Sequence, residues 1–105
     1  MINFIYTENS FNKLFKRSAK GEEDLSFLFL SPDYDRASSQ LKRAIEKQKH
    51  KLKNKLYIVD SFITPHAFVA YNTTKVPTLV NVLNKKKTTE SYLPFIYDRL
   101  GVSLP

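Results

Sequence analysis

The sequence predicts one α/β domain over residues 1–105, a central mixed sheet of four to five strands flanked by helices. Three observations carry this. Segments of β-branched and aromatic residues alternate with segments whose apolar residues recur at helical spacing, so crossover connections and a largely parallel inner sheet are expected. One segment, Leu25 to Leu30, is almost continuously apolar, as a strand covered on both faces must be. No internal repeat, low-complexity tract or Pro/Gly/Ser-rich linker interrupts the order, and 105 residues with 42% hydrophobic and 13% aromatic content suit one modest core.

Ile2 to Thr7 mixes Ile2, Phe4, Ile5 and Tyr6 and reads as a short first strand. Asn9 or Ser10 offers an N-cap for a helix from Phe11, with Phe11, Leu14 and Phe15 on one face, and Gly21 sits where a helix-ending glycine belongs. Leu25 to Leu30 is the central strand. Ser31-Pro32-Asp33-Tyr34-Asp35 supplies turn and capping residues, after which Ala37, Leu41, Ala44, Ile45, Gln48 and Leu52 trace the stripe of a long helix. Leu56 to Asp60 reads as a third strand. Thr64-Pro65 matches an N-cap followed by proline at the first helical position, so a short helix is expected to about Tyr71. Val76 to Leu83 reads as a fourth strand with Pro77 at its entry, where proline interrupts no ladder. Lys85, Lys86 and Lys87 are expected to fill a turn before a short edge strand from Thr88 to Glu90. Tyr92, Leu93, Phe95, Ile96 and Leu100 mark a closing helix before Gly101, with Pro94 tolerated in its first turn.

Composition excludes whole classes of chemistry. The chain has no cysteine, which removes thiol redox chemistry, disulfides, cysteine zinc fingers and cysteine nucleophiles together. With Gly21 and Gly101 the only glycines, neither a P-loop nor a Gly-x-Gly-x-x-Gly turn can form. The longest apolar stretches, Phe27 to Leu30 and Ala67 to Tyr71, fall far short of the ~20 residues of a membrane span. No secretory signal is readable at the N-terminus, so no membrane association and a cytoplasmic location are the expectations.

The order strand, helix, strand, helix, strand, helix, strand, short strand, helix resembles the thioredoxin fold, and the match sharpens at Tyr71-Asn72-Thr73-Thr74-Lys75-Val76-Pro77-Thr78. Thioredoxin-like proteins carry a similar Tyr-Gly-x-x-x-Val/Ile-Pro-Thr segment. Asn72 stands in place of the glycine, and Asn tolerates a left-handed backbone, while Thr73 takes a place that is usually aliphatic. Val59-Asp60 looks like the end of that family's third strand. The resemblance implies a cis proline at Pro77 facing the start of the long helix, where the family has its Cys-x-x-Cys motif. Here the matching stretch is Asp33-Tyr34-Asp35-Arg36-Ala37, so disulfide exchange is not inherited. It further implies that backbone beside the proline pairs with extended peptide segments, a form of strand addition that needs no cysteine. The expected site is thus a protein-binding groove of Tyr34, Asp35, Val76, Pro77 and Thr78, in a non-catalytic binding or assembly module without cofactor. The plainer account is that Pro77 serves only the turn.

Charge supports a second reading. Seventeen Lys and Arg against ten Asp and Glu give +7, and the segment 36–55 alone sums to +7, eight bases against Glu46, leaving the rest neutral. Arg43, Lys47, Lys49, Lys51 and Lys53, extended by Lys85, Lys86 and Lys87, could hold nucleic-acid phosphates, contacts that are electrostatic and indifferent to sequence. No aromatic interleaves with the bases from Arg36 to Lys55, so base stacking has no platform there. A solvated helix face and a solubilised turn are the plainer accounts, and the turn lysines could also cap the negative end of a neighbouring helix.

The remaining candidates are weaker. Asp33 and Asp35 could act as a carboxylate pair, but capping at a helix start explains both. His66 could act as a base with Asp60 or Tyr71 yet lacks a nucleophile partner. His50 lies among lysines that would repel a cation. No catalytic residue and no metal site are predicted.

Overall fold

A computed structural model describes residues 2–5, 7–52, 55–70 and 75–103. The elements follow in the order β1 (Ile2–Phe4), α1 (Glu8–Ala19), β2 (Leu25–Leu30), α2 (Arg36–Lys47), a single 3-10 turn (Lys49–Lys51), β3 (Leu56–Asp60), α3 (Pro65–Ala70), β4 (Thr78–Leu83), β5 (Lys86–Glu90) and α4 (Leu93–Leu100). The five strands form one mixed sheet in the order β1-β3-β2-β4-β5. β1, β3 and β2 run parallel, as strands joined by crossover helices do. β4 and β5 complete the sheet antiparallel.

The strand period of two divides the core. Leu28 and Leu30 of β2 point to one face, where α2 adds Leu41, Ala44 and Ile45 and α4 adds Ile96, Tyr97 and Leu100. Leu25, Phe27 and Phe29 point to the other face, where they meet Phe11 of α1 and Ala67 of α3. All six residues of β2 are therefore buried, which is the reason its sequence does not alternate.

Several boundaries depart from the sequence expectations, each for a local reason. α1 begins at Glu8 rather than near Phe11, because Thr7 is the cap: its hydroxyl oxygen accepts the Ser10 amide at 3.1 Å. At its other end the Gly21 amide bonds the Ser18 carbonyl and the Glu22 amide bonds the Arg17 carbonyl, with Gly21 at φ +79°, a Schellman ending. The long helix stops at Lys47, not Leu52. Gln48 turns its side chain to the chain end, donating to the Ser103 carbonyl and accepting the Ser103 amide, and Leu52 still packs on the α2–α4 core after the 3-10 turn. The three-lysine turn is also shorter than expected. Asn84 and Lys85, at φ 50° and 69°, make a two-residue hairpin, and Lys86 and Lys87 belong to β5. Thr64 precedes Pro65 as expected, but its hydroxyl donates back to the Asp60 carbonyl. The expected extension of α3 to Tyr71 and the segment Tyr71 to Thr74 lie outside the described residues.

Candidate functional site

Register places the groove residues at one end of the sheet. β2 ends and β4 begins there, with Phe29 paired to Thr78, and β3 ends alongside, with Leu30 paired to Asp60. β5 also finishes at this end, Glu90 lying opposite Leu79. The loops that leave these strands therefore share one rim.

The segment matching the Cys-x-x-Cys position is a tightly hydrogen-bonded turn. The Ser31 carbonyl accepts the amides of Tyr34 (3.1 Å) and Asp35 (2.8 Å). Asp35 caps α2, its Oδ2 accepting the amide and the hydroxyl of Ser38 at 2.9 Å each, while the Ser38 Oγ accepts the Ser31 amide at 3.2 Å. Ser31 and Ser61 exchange a hydroxyl hydrogen bond across the ends of β2 and β3. Asp35 is thus spent on structure, and Asp33 stands exposed beside it. This geometry answers the carboxylate-pair candidate with a helix cap.

Opposite, the Val76–Pro77 peptide is cis, as the resemblance implies. Pro77 is buried, and Thr78 is only 3% exposed, its hydroxyl donating to the Lys75 carbonyl at 2.8 Å and sharing a hydrogen bond with Ser91 at 2.9 Å. Of the five groove residues, Tyr34 is the one that presents a large free side chain, at 77% exposure. Val76 lies before the last β2–β4 pair, so its amide and carbonyl are outside that ladder.

Sequence reasoning missed half of this rim. Phe62 and Ile63, in the turn between β3 and α3, and Tyr92 and Phe95, at the start of α4, are exposed apolar side chains at the same end. Tyr92 and Phe95 pair edge-to-face with centroids 4.9 Å apart. The signal was available. Leu93, Ile96, Tyr97 and Leu100 complete the buried stripe of α4, so Phe95 falls on the opposite flank while Tyr92 caps the helix from outside it, and Phe62 and Ile63 stand between a strand end and a helix start.

Glu90 closes the rim. Its carboxylate accepts the Tyr92 and Ser91 amides at 3.1 Å each and pairs with Arg99 at 3.2 Å. Chiefly the Tyr92 amide, against the opposing effect of burial and aided by Arg99, holds this carboxyl below its ordinary value.

The basic candidates divide. Arg43 and Lys47 lie exposed on α2, and Lys49 and Lys51 in the 3-10 turn after it, while Lys53 is outside the described residues. Lys85 belongs elsewhere, because its stem lies over Gly21 at the end of α1, in the opposite helical layer. That places its charge by the negative end of a helix, the alternative the sequence allowed. Lys86 and Lys87 are on the edge strand. His50 and His66 are both exposed, and among the described residues no three His, Asp or Glu side chains converge as a metal site would need. Among them, too, no helix is long and apolar enough to cross a membrane.

Neither a protein-family model nor a curated protein sequence matches the chain. Solved structures do. It is similar to thioredoxin O2 of Arabidopsis thaliana in the oxidized state, with a TM-score of 0.75, 18% identity and coverage of 95% of this chain and 94% of that one. Thioredoxin O1 of the same plant gives 0.75 and 18% over 95% and 97% of the two chains. A thioredoxin of Nicotiana alata gives 0.74 and 11% over 93% and 88%. Identities this low speak for the fold, and the cis proline and the strand order agree with it. The chain has the thioredoxin-like fold, built without the cysteines of the Cys-x-x-Cys motif and so without the thiol chemistry that motif performs.

Proposed function

We propose that the protein is a redox-inactive binding or assembly module whose rim beside Pro77 takes an extended, apolar segment of a protein partner. The observation that carries this reading is the placement of Tyr34, Phe62, Ile63, Tyr92 and Phe95 at one end of the sheet. Among the described residues these are five of the eight exposed large hydrophobic side chains, and register gathers all five at the end of the sheet where β4 begins. Apolar side chains left in water along one rim favour association, because covering them returns hydrophobic free energy. Val76, outside the ladder, adds a backbone amide and carbonyl with which an extended segment can pair, as in strand addition. Helix capping by Asp35 leaves no acid–base pair there, which favours binding over turnover.

The test is selection from a displayed library of random peptides, followed by NMR titration of the selected sequence. The expected outcome is an apolar consensus whose binding shifts the Val76 amide resonance and is weakened at least tenfold in Tyr34→Ala and in Phe62→Ala, about 1.4 kcal/mol. Selection of no consensus, or equal binding by both variants, would remove the rim from the account.

A further inference from the structure

The basic residues of α2 form a surface that the rim does not use. At about 100° per residue, Arg36, Gln40, Arg43 and Lys47 fall on one line of the helix, an i, i+4, i+7, i+11 stripe roughly 16 Å long. The stripe lies away from Leu41 and Ile45, which hold α2 to the sheet. Lys49 and Lys51 continue the charge in the following turn. Glu46, the one acid between Arg36 and Lys51, sits on another flank.

No ion pair among the described residues includes a cation of this stripe or its turn. The ion pairs among the described residues join Arg17 to Glu22 and Glu23, Lys55 to Glu23, and Arg99 to Glu90. Lys42 turns instead over the Phe4 ring, 5.4 Å from its centroid. Outside residues 36–55 nine bases balance nine acids, so the net +7 lies within the segment that carries the stripe and its turn.

The stripe also has a receptacle. A depression of about 350 Å³ is lined by Gln40, Arg43, Ala44, Lys47, Gln48 and Ser103. One wall is fixed, because the Gln48 side chain and the Ser103 backbone hold each other in two hydrogen bonds. Guanidinium, ammonium and amide donors meet there, the groups that contact phosphate oxygens.

What the face lacks selects its ligand. From Arg36 to Lys51 every exposed side chain is polar. A single strand would ask for aromatic platforms, a membrane surface for apolar side chains to insert, and a protein interface for buried aromatic anchors. A nucleic-acid duplex presents a phosphate charge every ~1.7 Å along its axis and asks only for cations and hydrogen-bond donors. We propose that the outer face of α2 and its following turn bind the sugar-phosphate backbone of a nucleic-acid duplex, independently of sequence, with a phosphate seated between Arg43 and Lys47.

The test is fluorescence anisotropy with a short labelled DNA duplex, the matching RNA duplex and the single strand, over a salt series, with phosphatidylserine vesicles assayed by co-sedimentation. Duplex binding is expected at micromolar affinity in about 50 mM salt, with a log–log slope of roughly −3 to −4. The two duplexes distinguish the source of the backbone, and binding of either supports the site. Arg43→Glu with Lys47→Glu should weaken binding at least tenfold and flatten the slope by about 1.8, at ~0.9 per lost phosphate contact. Lys13→Glu with Lys20→Glu, the same charge change on α1 and its C-cap, should leave most of the binding, and both double variants should melt as the parent does. An Arg43→Gln, Lys47→Gln pair serves if the reversal unfolds. The proposal is overturned by unchanged affinity in the α2 variant, by equal loss in the α1 variant, by preference for the single strand, or by binding to vesicles alone.

Discussion

Asp35 binds Ser38 twice, its Oδ2 accepting both the amide and the hydroxyl at 2.9 Å. The pair fastens the turn at the head of α2, and it lies within a side chain of the exposed Tyr34. Because Ser38 is fully buried, removing the carboxylate strands a hydroxyl as well as a helix amide. Asp35→Ala should therefore lower stability by about 1–2 kcal/mol, and Asp35→Asn, which still caps, by less. Urea denaturation of both variants measures this. Equal stability would mean that solvent replaces the cap without cost.

The α1 layer hangs on one ring. Phe11 is 1% exposed and meets Phe27 and Phe29 edge-on, with centroids at 5.4 and 6.1 Å. Phe11→Ala should cost about 3–5 kcal/mol, a large part of the stability of a domain this size. Phe15, which stacks on Phe11 but is only partly buried, should cost distinctly less when truncated. Guanidinium unfolding of the two variants ranks them, and the reverse ranking would move the anchor to Phe15.

Fold and site were not equally legible in the sequence, and the reason is physical. Leu25 to Leu30 announced a strand covered on both faces because burial leaves no room for alternation, and Val76-Pro77-Thr78 announced a strand entry because proline cannot donate to a ladder. Gln48 misled, since it continues the helical stripe in spacing while its side chain serves a contact with Ser103, 55 residues away. Lys86 and Lys87 misled because strand propensity on an exposed edge is weak and hairpin register decides. The apolar rim was the least readable. Tyr92 and Phe95 resemble core residues by type: angular offset from Ile96 and Leu100 separates Phe95, and position as the N-cap of α4 separates Tyr92. What brings them to the same end of the sheet as Phe62 is the strand order, with β3 and β5 both ending there, which no local pattern contains.

Lys85 sits in the β4–β5 turn at φ 69°, a left-handed conformation that costs a side-chain-bearing residue roughly 1–2 kcal/mol. Asn84 before it, at φ 50°, is the residue such turns prefer in that place, and glycine is preferred in the next. Lys85→Gly should accordingly stabilise the protein by about 1 kcal/mol, read as a raised thermal midpoint. The opposing effect is the lysine stem over Gly21, where an added β-carbon would lie 2.8 Å from the Lys85 Cε. A lowered midpoint would show that this contact at the end of α1 outweighs the strained turn.

Glu90 should make the protein's stability fall in acid with a recognisable signature. The Tyr92 amide above all, with Arg99 and the Ser91 amide, keeps its folded-state carboxyl below the ordinary 4.5, while in the unfolded chain that value returns. Between the two values the unfolded state binds more protons, so stability rises with pH through this window. The contribution is complete above pH 4.5, declines as pH falls through the depressed folded value, and is absent below it. Glu90→Gln removes the titration. The variant should be less stable than the parent at neutral pH, and the two should converge as urea midpoints are followed from about pH 7 to pH 3. Repeating the series in high salt separates the causes, because the Arg99 pair is screened while the Tyr92 and Ser91 amide bonds persist. A constant difference between the curves across this range would place the acid sensitivity elsewhere, at Glu23, whose carboxyl is likewise held low by its hydrogen bond from Lys55.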